Sequence, residues 1–592
     1  MAVSATRSRR LHPGRARLAI IGLVVIAAWL GMGYRLFEIQ VVRAEELAEQ
    51  GLSQRLVTRP MAPQRGKIFD RNGNLLAMTV ESQSLFAVPD QVTEPLWVAQ
   101  QIGGYLGVDA DALYERLTSD LDFVYIKRQV EGVLAEEILG LEMKGVFAHP
   151  EPSRVYPAGP VASHVTGFVD IDGNGQEGLE LVYDDELRGT PGHAEYERAG
   201  QFIIPQGYTN IVPAIPGTDL NTTIDLPLQY QAQESCVAAV ERTGADSCWA
   251  IVLSVETGEV LAMVGAPIFD PATRQTVDPS CDEAEDPVTC RMFSNFVVRG
   301  IYEPGSTQKM ITFAAALEEG EVEVGTVIPE VDDELEVLEG ACEDADDDVL
   351  GCYEDFEEHE TADMTVAEIF TASSNVGTIK VAKTLGQDRL IEYIEKFGLG
   401  EQTGIDYTVE ASGILRFDAG CQTCWSSAAI GYSVAATPLQ MAAAYATIGN
   451  DGVWMTPHIV RSQVDADGES QVAGVESRQV VSPGTALLMR ELLASVVEDG
   501  TGDAGAVEGY RVGGKTGTAN KLSEDGKSYT EETRASFVGM APINDPEVVV
   551  AVVVDAPDYD FRTGGLSAAP VFSEIMEQAL HRLGVSPDGE DQ

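Results

Sequence analysis

From Leu18 to Tyr34 the chain reads Leu-Ala-Ile-Ile-Gly-Leu-Val-Val-Ile-Ala-Ala-Trp-Leu-Gly-Met-Gly-Tyr without a charge. That is about the shortest stretch that spans a bilayer as a helix. Arg7, Arg9, Arg10, Arg15 and Arg17 precede it with no acid among residues 1–17, and basic flanks stay cytoplasmic. A cleaved signal peptide is the alternative, but the run is longer than a typical h-region and is followed by Arg35-Leu36-Phe37-Glu38. The expectation is a cytoplasmic basic tail over 1–17, a retained anchor over 18–39, and everything beyond about Gln40 outside the inner membrane, so that this is a single-pass cell-membrane protein.

With 592 residues, the chain is too long for one hydrophobic core, and 44% hydrophobic content excludes a mainly disordered chain. The net charge of −55 argues against nucleic acid and against anionic lipid as partners of the exported part. Acids concentrate at Glu343-Asp344-Ala345-Asp346-Asp347-Asp348 and Glu354-Asp355-Phe356-Glu357-Glu358. A calcium loop is one reading, but the spacing lacks the glycine and terminal glutamate of an EF-hand, so a solvated acidic insertion is expected. Eight cysteines fall into close pairs, Cys236 with Cys248, Cys281 with Cys290, Cys342 with Cys352 and Cys421 with Cys424. An even count in an exported domain reads as disulfides. Zinc is the rival, yet no pair has histidine at ligand spacing and Cys421-x-x-Cys424 has no second such pair. No metal is expected, and the pairing rests on proximity alone.

Chemistry enters at Tyr302-Glu303-Pro304-Gly305-Ser306-Thr307-Gln308-Lys309, where a Pro-Gly turn delivers a serine onto the apolar run Met310 to Leu317. This reads as a helix start carrying a nucleophile. Residues three apart share a helix face, so the Lys309 amine can reach the Ser306 hydroxyl and act as its base. Helix N-terminal N–H groups beside the serine suit a developing oxyanion. Alone, Ser-x-x-Lys occurs on the order of once by chance in a chain this long, and an N-cap serine with a surface lysine would look the same. Downstream, however, stand Ser373-Ser374-Asn375 and Lys515-Thr516-Gly517-Thr518. Their order and type match the three-motif set of serine penicillin-recognising enzymes, and the chain resembles a class B penicillin-binding protein, a peptidoglycan D,D-transpeptidase.

The resemblance covers nearly everything from Arg65 to Leu583. Arg65 to Ala77, with Asn72-Gly73 as a hairpin turn, matches the family's first pedestal motif. Arg154 to Gly159 followed by Ser163 to Val169 resembles the second, and Gly178 to Asp184 with Leu187-Arg188-Gly189 the third. For these arginines, acids and His164, buried polar links between pedestal and catalytic domain are expected rather than catalysis. Later segments, among them Phe397 to Gly400, Thr403 to Asp406 and Ala429-Ile430-Gly431, also resemble class B members, whereas Tyr432-Ser433 stands where Gln-Gly would be expected. No second glutamate motif near the membrane suggests a glycosyltransferase domain, so glycan polymerisation is assigned to a partner.

The implied architecture is α+β: a single N-terminal transmembrane helix, an extended pedestal over 40–215, a transpeptidase domain over 216–585 with an antiparallel sheet and inserted helical subdomain, and a tail over 586–592. Strands read at Trp249 to Val255, Val260 to Val264, Ser536 to Ala541 and Val548 to Val554, with a helix before Ser373 from Met364 to Thr371 and a last one from Ala569 to Leu583.

By resemblance, Ser306 attacks the carbonyl between the last two D-alanines of a stem peptide and Lys309 takes its proton. Ser373 relays a proton between Lys309 and Lys515 to the leaving D-alanine, and Asn375 fixes peptide and lysine together. Lys515, Thr516 and Thr518 hold the substrate carboxylate, and Gly517 lets an edge strand approach the ligand. No cofactor is implied. Implied partners are stem peptides ending in D-Ala-D-Ala, penicillin and other β-lactams, the inner membrane, a membrane glycosyltransferase of the SEDS type and other divisome proteins. The Ser163 to Val169 wording leans towards the septal rather than the elongation type. A β-lactamase or carboxypeptidase that passes the acyl group to water, and a non-catalytic β-lactam sensor or scaffold, are the rival functions.

Overall fold

The computed structural model describes residues 13–588, except 200–201, 205–207, 274, 277–293, 343–350, 408, 418–420, 466–467, 469, 473 and 524–527. Chain contacts divide it into two units, one holding the chain up to Pro63 with Thr190–Ile215, the other Gln64–Gly189 with Pro216–Gln592. In the first unit, helix α1 (Pro13–Phe37) carries the charge-free run. It belongs to a helical stretch, Gly14–Val42, whose window of mean hydropathy 2.0 has no buried residue, long and apolar enough to cross a membrane. The same unit contains an antiparallel ribbon in which Gly192–Ala199 pairs with both Leu56–Met61 and Thr209–Val212.

The second unit is built on a five-stranded antiparallel sheet. Helix α2 (Leu226–Thr243) leads into strands β1 (Ser247–Ser254) and β2 (Val260–Ala266). Then come helices α3 (Lys309–Glu318), α4 (Val366–Ala372), α5 (Asn375–Leu385), α6 (Pro438–Gly449) and α7 (Pro483–Asp499). Strands β3 (Gly513–Leu522), β4 (Tyr529–Ala541) and β5 (Val548–Asp555) and helix α8 (Gly564–Leu583) close the chain. Strand order is β2-β1-β5-β4-β3, which makes β3 an edge. Period-two alternation sorts the side chains into two cores. From β5, Val548, Val550, Val552 and Val554 join a cluster with α2 and α8, whereas Val549, Ala551 and Val553 join the larger core that includes α3, α6 and α7. A strand buried on both faces explains the unbroken Val-Val-Val-Ala-Val-Val-Val run, which carries no polar side to read.

Strands β1 and β4 begin at Ser247 and Tyr529, ahead of the expected Trp249 and Ser536, and two helices also begin elsewhere than the sequence suggests. The helix expected from Met364 starts at Val366, because Thr365 caps it in a capping box with Glu368. The last helix begins at Gly564, ahead of the expected Ala569, and runs through Pro570.

The pedestal motifs are held by a buried ionic knot. Arg65 Nε donates to Glu180 Oε2 at 2.7 Å, Arg154 Nε to Glu180 Oε1 at 2.6 Å, and Arg65 Nη1 to Asp184 Oδ1 at 2.7 Å, with Glu180 fully buried. This corrects the expected role of Arg65 and Arg154, which tie the three pedestal motifs to one another, whereas Arg71 does reach the catalytic region as expected, pairing with Glu259 at 3.3 Å. Other groups make that crossing. The His164 carbonyl accepts from Asn295 Nδ2 at 3.1 Å and from the Tyr407 hydroxyl, its ring packs edge-on against Trp249 and Phe269, and Glu177 pairs with Arg299 at 3.3 Å.

Three of the expected disulfides are formed. Cys236–Cys248 joins α2 to β1, Cys342–Cys352 closes the hairpin of Glu334–Glu336 with Cys352–Glu354, and Cys421–Cys424 closes a loop before a short helix at Cys424–Ala429. Cys281 with Cys290, and the acidic run 343–348, lie outside the described residues.

Removing Glu180 strands two buried guanidinium groups, and breaking such a network typically costs about 3–5 kcal/mol. Glu180→Ala is therefore expected to lower urea-unfolding stability by about that amount, and an unchanged midpoint would remove the knot from the account of pedestal stability. Peptide mapping of unreduced protein is expected to recover Cys236 with Cys248, Cys342 with Cys352 and Cys421 with Cys424.

Candidate active site

The nucleophile's turn is wedged between two walls. Gly305 sits at φ +54°, and a side chain there would come within 2.9 Å of the Thr518 carbonyl on β3, so only glycine allows this approach. Its N–H donates to the Gly431 carbonyl at 3.1 Å, fixing the turn to the opposite wall. Gly305–Gln308 is a 3-10 turn and α3 begins at Lys309, so Ser306 lies just before the helix rather than in its first turn. All of α3 from Lys309 to Leu317 is buried, as expected of a helix apolar all round. Ser306, half-buried, lines a cleft of about 1700 Å³ together with Ser373, Asn375, Thr516 and Thr518.

Two fully buried amines lie behind that cleft. Lys309 Nζ donates to the Ser373 carbonyl at 2.5 Å and to Ser373 Oγ at 3.3 Å. Ser373 presents both oxygens from a left-handed residue, φ +59°, that ends α4. Burial, then repulsion from Lys515, hold Lys309 well below the ordinary lysine range, while the Asp355 carboxylate opposes them. Lys515 Nζ, on β3, has no hydrogen-bond partner among the described residues, and burial pushes it down to about 7. A buried donor without an acceptor is costly and suits a site that an incoming anion completes.

The remaining β3 residues divide by face. Thr516 Oγ1 meets Thr501 Oγ1 at 2.9 Å and Thr518 Oγ1 accepts the Gly564 N–H at 3.1 Å, both on the cleft. A side chain at Gly517 would strike Ser536 Oγ at 2.5 Å, the Pro304 carbonyl at 2.6 Å and Thr307 at 3.0 Å. The glycine thus lets β3 close on the nucleophile's turn, a different reason from the ligand approach expected of it.

Asn375 opens α5 behind Ser374, whose hydroxyl caps the helix by accepting from Gly377 N at 2.8 Å. The Asn375 side-chain amide donates to the Glu354 carbonyl at 2.7 Å, and its backbone N–H donates to Asp355. One of its two amide N–H groups is therefore committed to the acidic insertion. Asp355 was not legible as a site residue: with a side chain only 6% exposed, it departs from the solvated insertion expected of its segment. A second unexpected group lines a smaller neighbouring cavity with Ser433. Glu303 accepts from Ser433 N at 3.0 Å and from the Tyr529 hydroxyl at 2.8 Å, and Tyr432 packs edge-on against Tyr529. The departure at Tyr432-Ser433 was its one signal. The Glu334, Cys342 and Cys352 side chains lie close enough to share an ion, but the two sulfurs are joined to each other and offer no thiolate.

Comparison with known proteins places this geometry. A sequence profile of the penicillin binding protein transpeptidase domain matches residues 248–577, and one of the penicillin-binding protein dimerisation domain matches residues 60–222. Stage V sporulation protein D of Bacillus subtilis is 34% identical over 581 residues, covering 97% of this chain and 86% of that protein. Peptidoglycan D,D-transpeptidase FtsI of Escherichia coli is 29% identical over 97% of this chain and 92% of its own. Penicillin binding protein 3 of Mycobacterium tuberculosis, crystallised with aztreonam, superposes with a TM-score of 0.68 at 26% identity, over 90% of this chain and 98% of that one. With both domain profiles matched in order and the relatives aligned almost end to end, the chain belongs to the penicillin-binding protein family of transpeptidases.

Proposed function

We propose that this protein is a membrane-anchored serine D,D-transpeptidase that cross-links peptidoglycan stem peptides and is acylated by β-lactams. The observation that carries the reading is the cleft serine backed by two buried amines of different state, one bonded to Ser373 and one without a hydrogen-bond partner among the described residues. Neutral Lys309 takes the Ser306 proton as the hydroxyl attacks the penultimate D-alanine carbonyl. The tetrahedral oxyanion forms beside the N–H groups of Ser306 and Thr518. Ser373, bonded to Lys309, passes the proton to the departing D-alanine amine, and an amine of a second stem peptide takes the acyl group. Lys515, as ammonium, holds the terminal carboxylate with the Thr516 and Thr518 hydroxyls.

The arginines ahead of α1 support a cytoplasmic N-terminus with the catalytic unit outside. The Ser163 to Val169 wording supports a septal role, with a SEDS-type glycosyltransferase and divisome proteins as partners.

Exposure to penicillin followed by intact-mass measurement is expected to show one slowly released adduct, on Ser306. Ser306→Ala should abolish it and Lys309→Ala should slow it at least about 10²-fold, the loss typical of a positioned base. Labelling that survives Ser306→Ala would overturn the assignment, and rapid release of hydrolysed drug would mark a β-lactamase instead.

The two amines also set a pH profile. Lys309 acts unprotonated, so acylation slows as pH falls through its lowered pKa. Lys515 acts protonated, so acylation slows as pH rises through about 7 in the free protein. The second-order acylation constant should be bell-shaped, its limbs belonging to the coupled pair. Lys515→Arg, which stays charged, should remove the alkaline limb. An alkaline limb that persists in that variant would exclude the ammonium from carboxylate recognition.

A further inference from the structure

The acidic insertion does more than cover the cleft. Its hairpin is fastened at several points: the Cys342–Cys352 disulfide, the pairing of Glu334–Glu336 with Cys352–Glu354, and Tyr353, whose hydroxyl meets the Thr423 carbonyl at 3.1 Å and Ser427 Oγ at 2.7 Å. Ser427 in turn accepts the Tyr432 N–H on the wall that carries Gly431 and the nucleophile's turn. From this clamped hairpin Asp355 reaches the start of α5. One carboxylate oxygen accepts the N–H of Asn375 at 2.5 Å and of Val376 at 3.0 Å, and the other lies 3.0 Å from His359 Nε2. The Ser374 hydroxyl takes only the Gly377 N–H of α5, and Asp355 takes the first two N–H groups that the serine leaves. Its effect is to fix where the helix begins.

We propose that Asp355 is a positioning residue for acylation, its carboxylate pinning the first turn of α5 so that Ser373 and Asn375 stand in register with Lys309. This rests on the transpeptidase reading above. Ser373 supplies the bonds that hold Lys309, and it sits between two fixed ends: α4, which it terminates, and the first turn of α5, which Asp355 grips. Among the described residues, Asp355 is also the carboxylate that acts on Lys309, against burial and the Lys515 amine. The charged and titratable groups around the pair are Lys309 from α3, Lys515 from β3, Glu354 from the hairpin, His359 beyond it, and Asp333 just ahead of its first strand. The Asp333 carbonyl accepts the Asp355 N–H at 2.8 Å. The carbonyl of Glu360, then the Asp355 carboxylate, raise His359 above its ordinary value, with a smaller push from Asp333.

The sign of the coupling is fixed. A carboxylate near Lys309 helps it keep its proton, so removing that charge lets Lys309 lose its proton at lower pH. Oxidised full-length protein in detergent, labelled with fluorescent penicillin across pH, reads both effects. Asp355→Asn is expected to lower the maximal acylation constant about tenfold, the scale of losing a hydrogen bond to a charged acceptor, and to move the acid limb to lower pH. Asp355→Glu, which keeps the charge but displaces it, should also slow acylation while leaving the acid limb where it is in the unaltered protein. A merely structural residue would lower the rate without moving the limb. Wild-type rates in both variants, or an Asp355→Asn limb that stays in place, would overturn the proposal. If Asp355→Asn does not fold, Asp355→Glu decides alone, a wild-type rate rejecting it. Ser306→Ala in the same assay separates the two readings, because adduct formed without Ser306 would defeat the transpeptidase mechanism itself, whatever Asp355 does.

Discussion

Two lysine amines sealed inside one core are the constraint on which this catalytic unit depends. A fully buried ammonium loses its hydration, and the protein interior returns only part of it. Lys309 recovers some through the Ser373 oxygens, whereas Lys515 has no hydrogen-bond partner among the described residues. Each amine therefore lies below the ordinary lysine range, Lys515 through burial and Lys309 through burial and then repulsion from Lys515. The same burial that weakens the fold supplies a base held well below the ordinary lysine range and a cation that an arriving carboxylate can recharge. Stability given up at the site is recovered in the sheet, where β5 is buried on both faces between two apolar cores.

Closeness of the two amines is made possible by glycines at backbone crossings. Gly305 faces the Thr518 carbonyl, Gly431 faces Gly305, and Gly517 faces Pro304 and Thr307. At each crossing a methyl group would sit inside 3 Å of another atom, so the nucleophile's turn is gripped from both sides by main chain. Side-chain rotamers contribute little to that placement, which suits a nucleophile that must be held before substrate arrives.

The parts legible in the sequence are those written locally. The charge-free run, the valine strands, the Ser306 to Lys309 spacing and the β3 motif each carry their signal within a few residues, and resemblance ordered them into one site. What escaped depends on contacts far apart in the chain. The ionic knot was expected to bridge domains, because nothing in Arg65, Arg154 or Glu180 tells which partner each will meet, and all three met inside the pedestal. Gly517 was read as clearance for ligand because its neighbours in space, Pro304 and Thr307, come from a turn some two hundred positions earlier. Asp355 was hidden for a different reason. In an acid-rich segment every carboxylate looks alike, and only burial against the first turn of α5 singles one out.

That last case bears on how an insertion acquires a role. A loop of like charges repels itself and orders poorly unless something closes it. Here the Cys342–Cys352 disulfide and Tyr353 hold the hairpin against the helical subdomain, so the entropy of fixing Asp355 is met before it reaches α5. Once held, a single carboxylate can act on a motif that already has its own cap and its own lysine. Glu354, Glu357, Glu358 and Glu360 stay exposed along the cleft, where they set its field. One carboxylate on a clamped hairpin thus links the acidic insertion to the Ser373 motif.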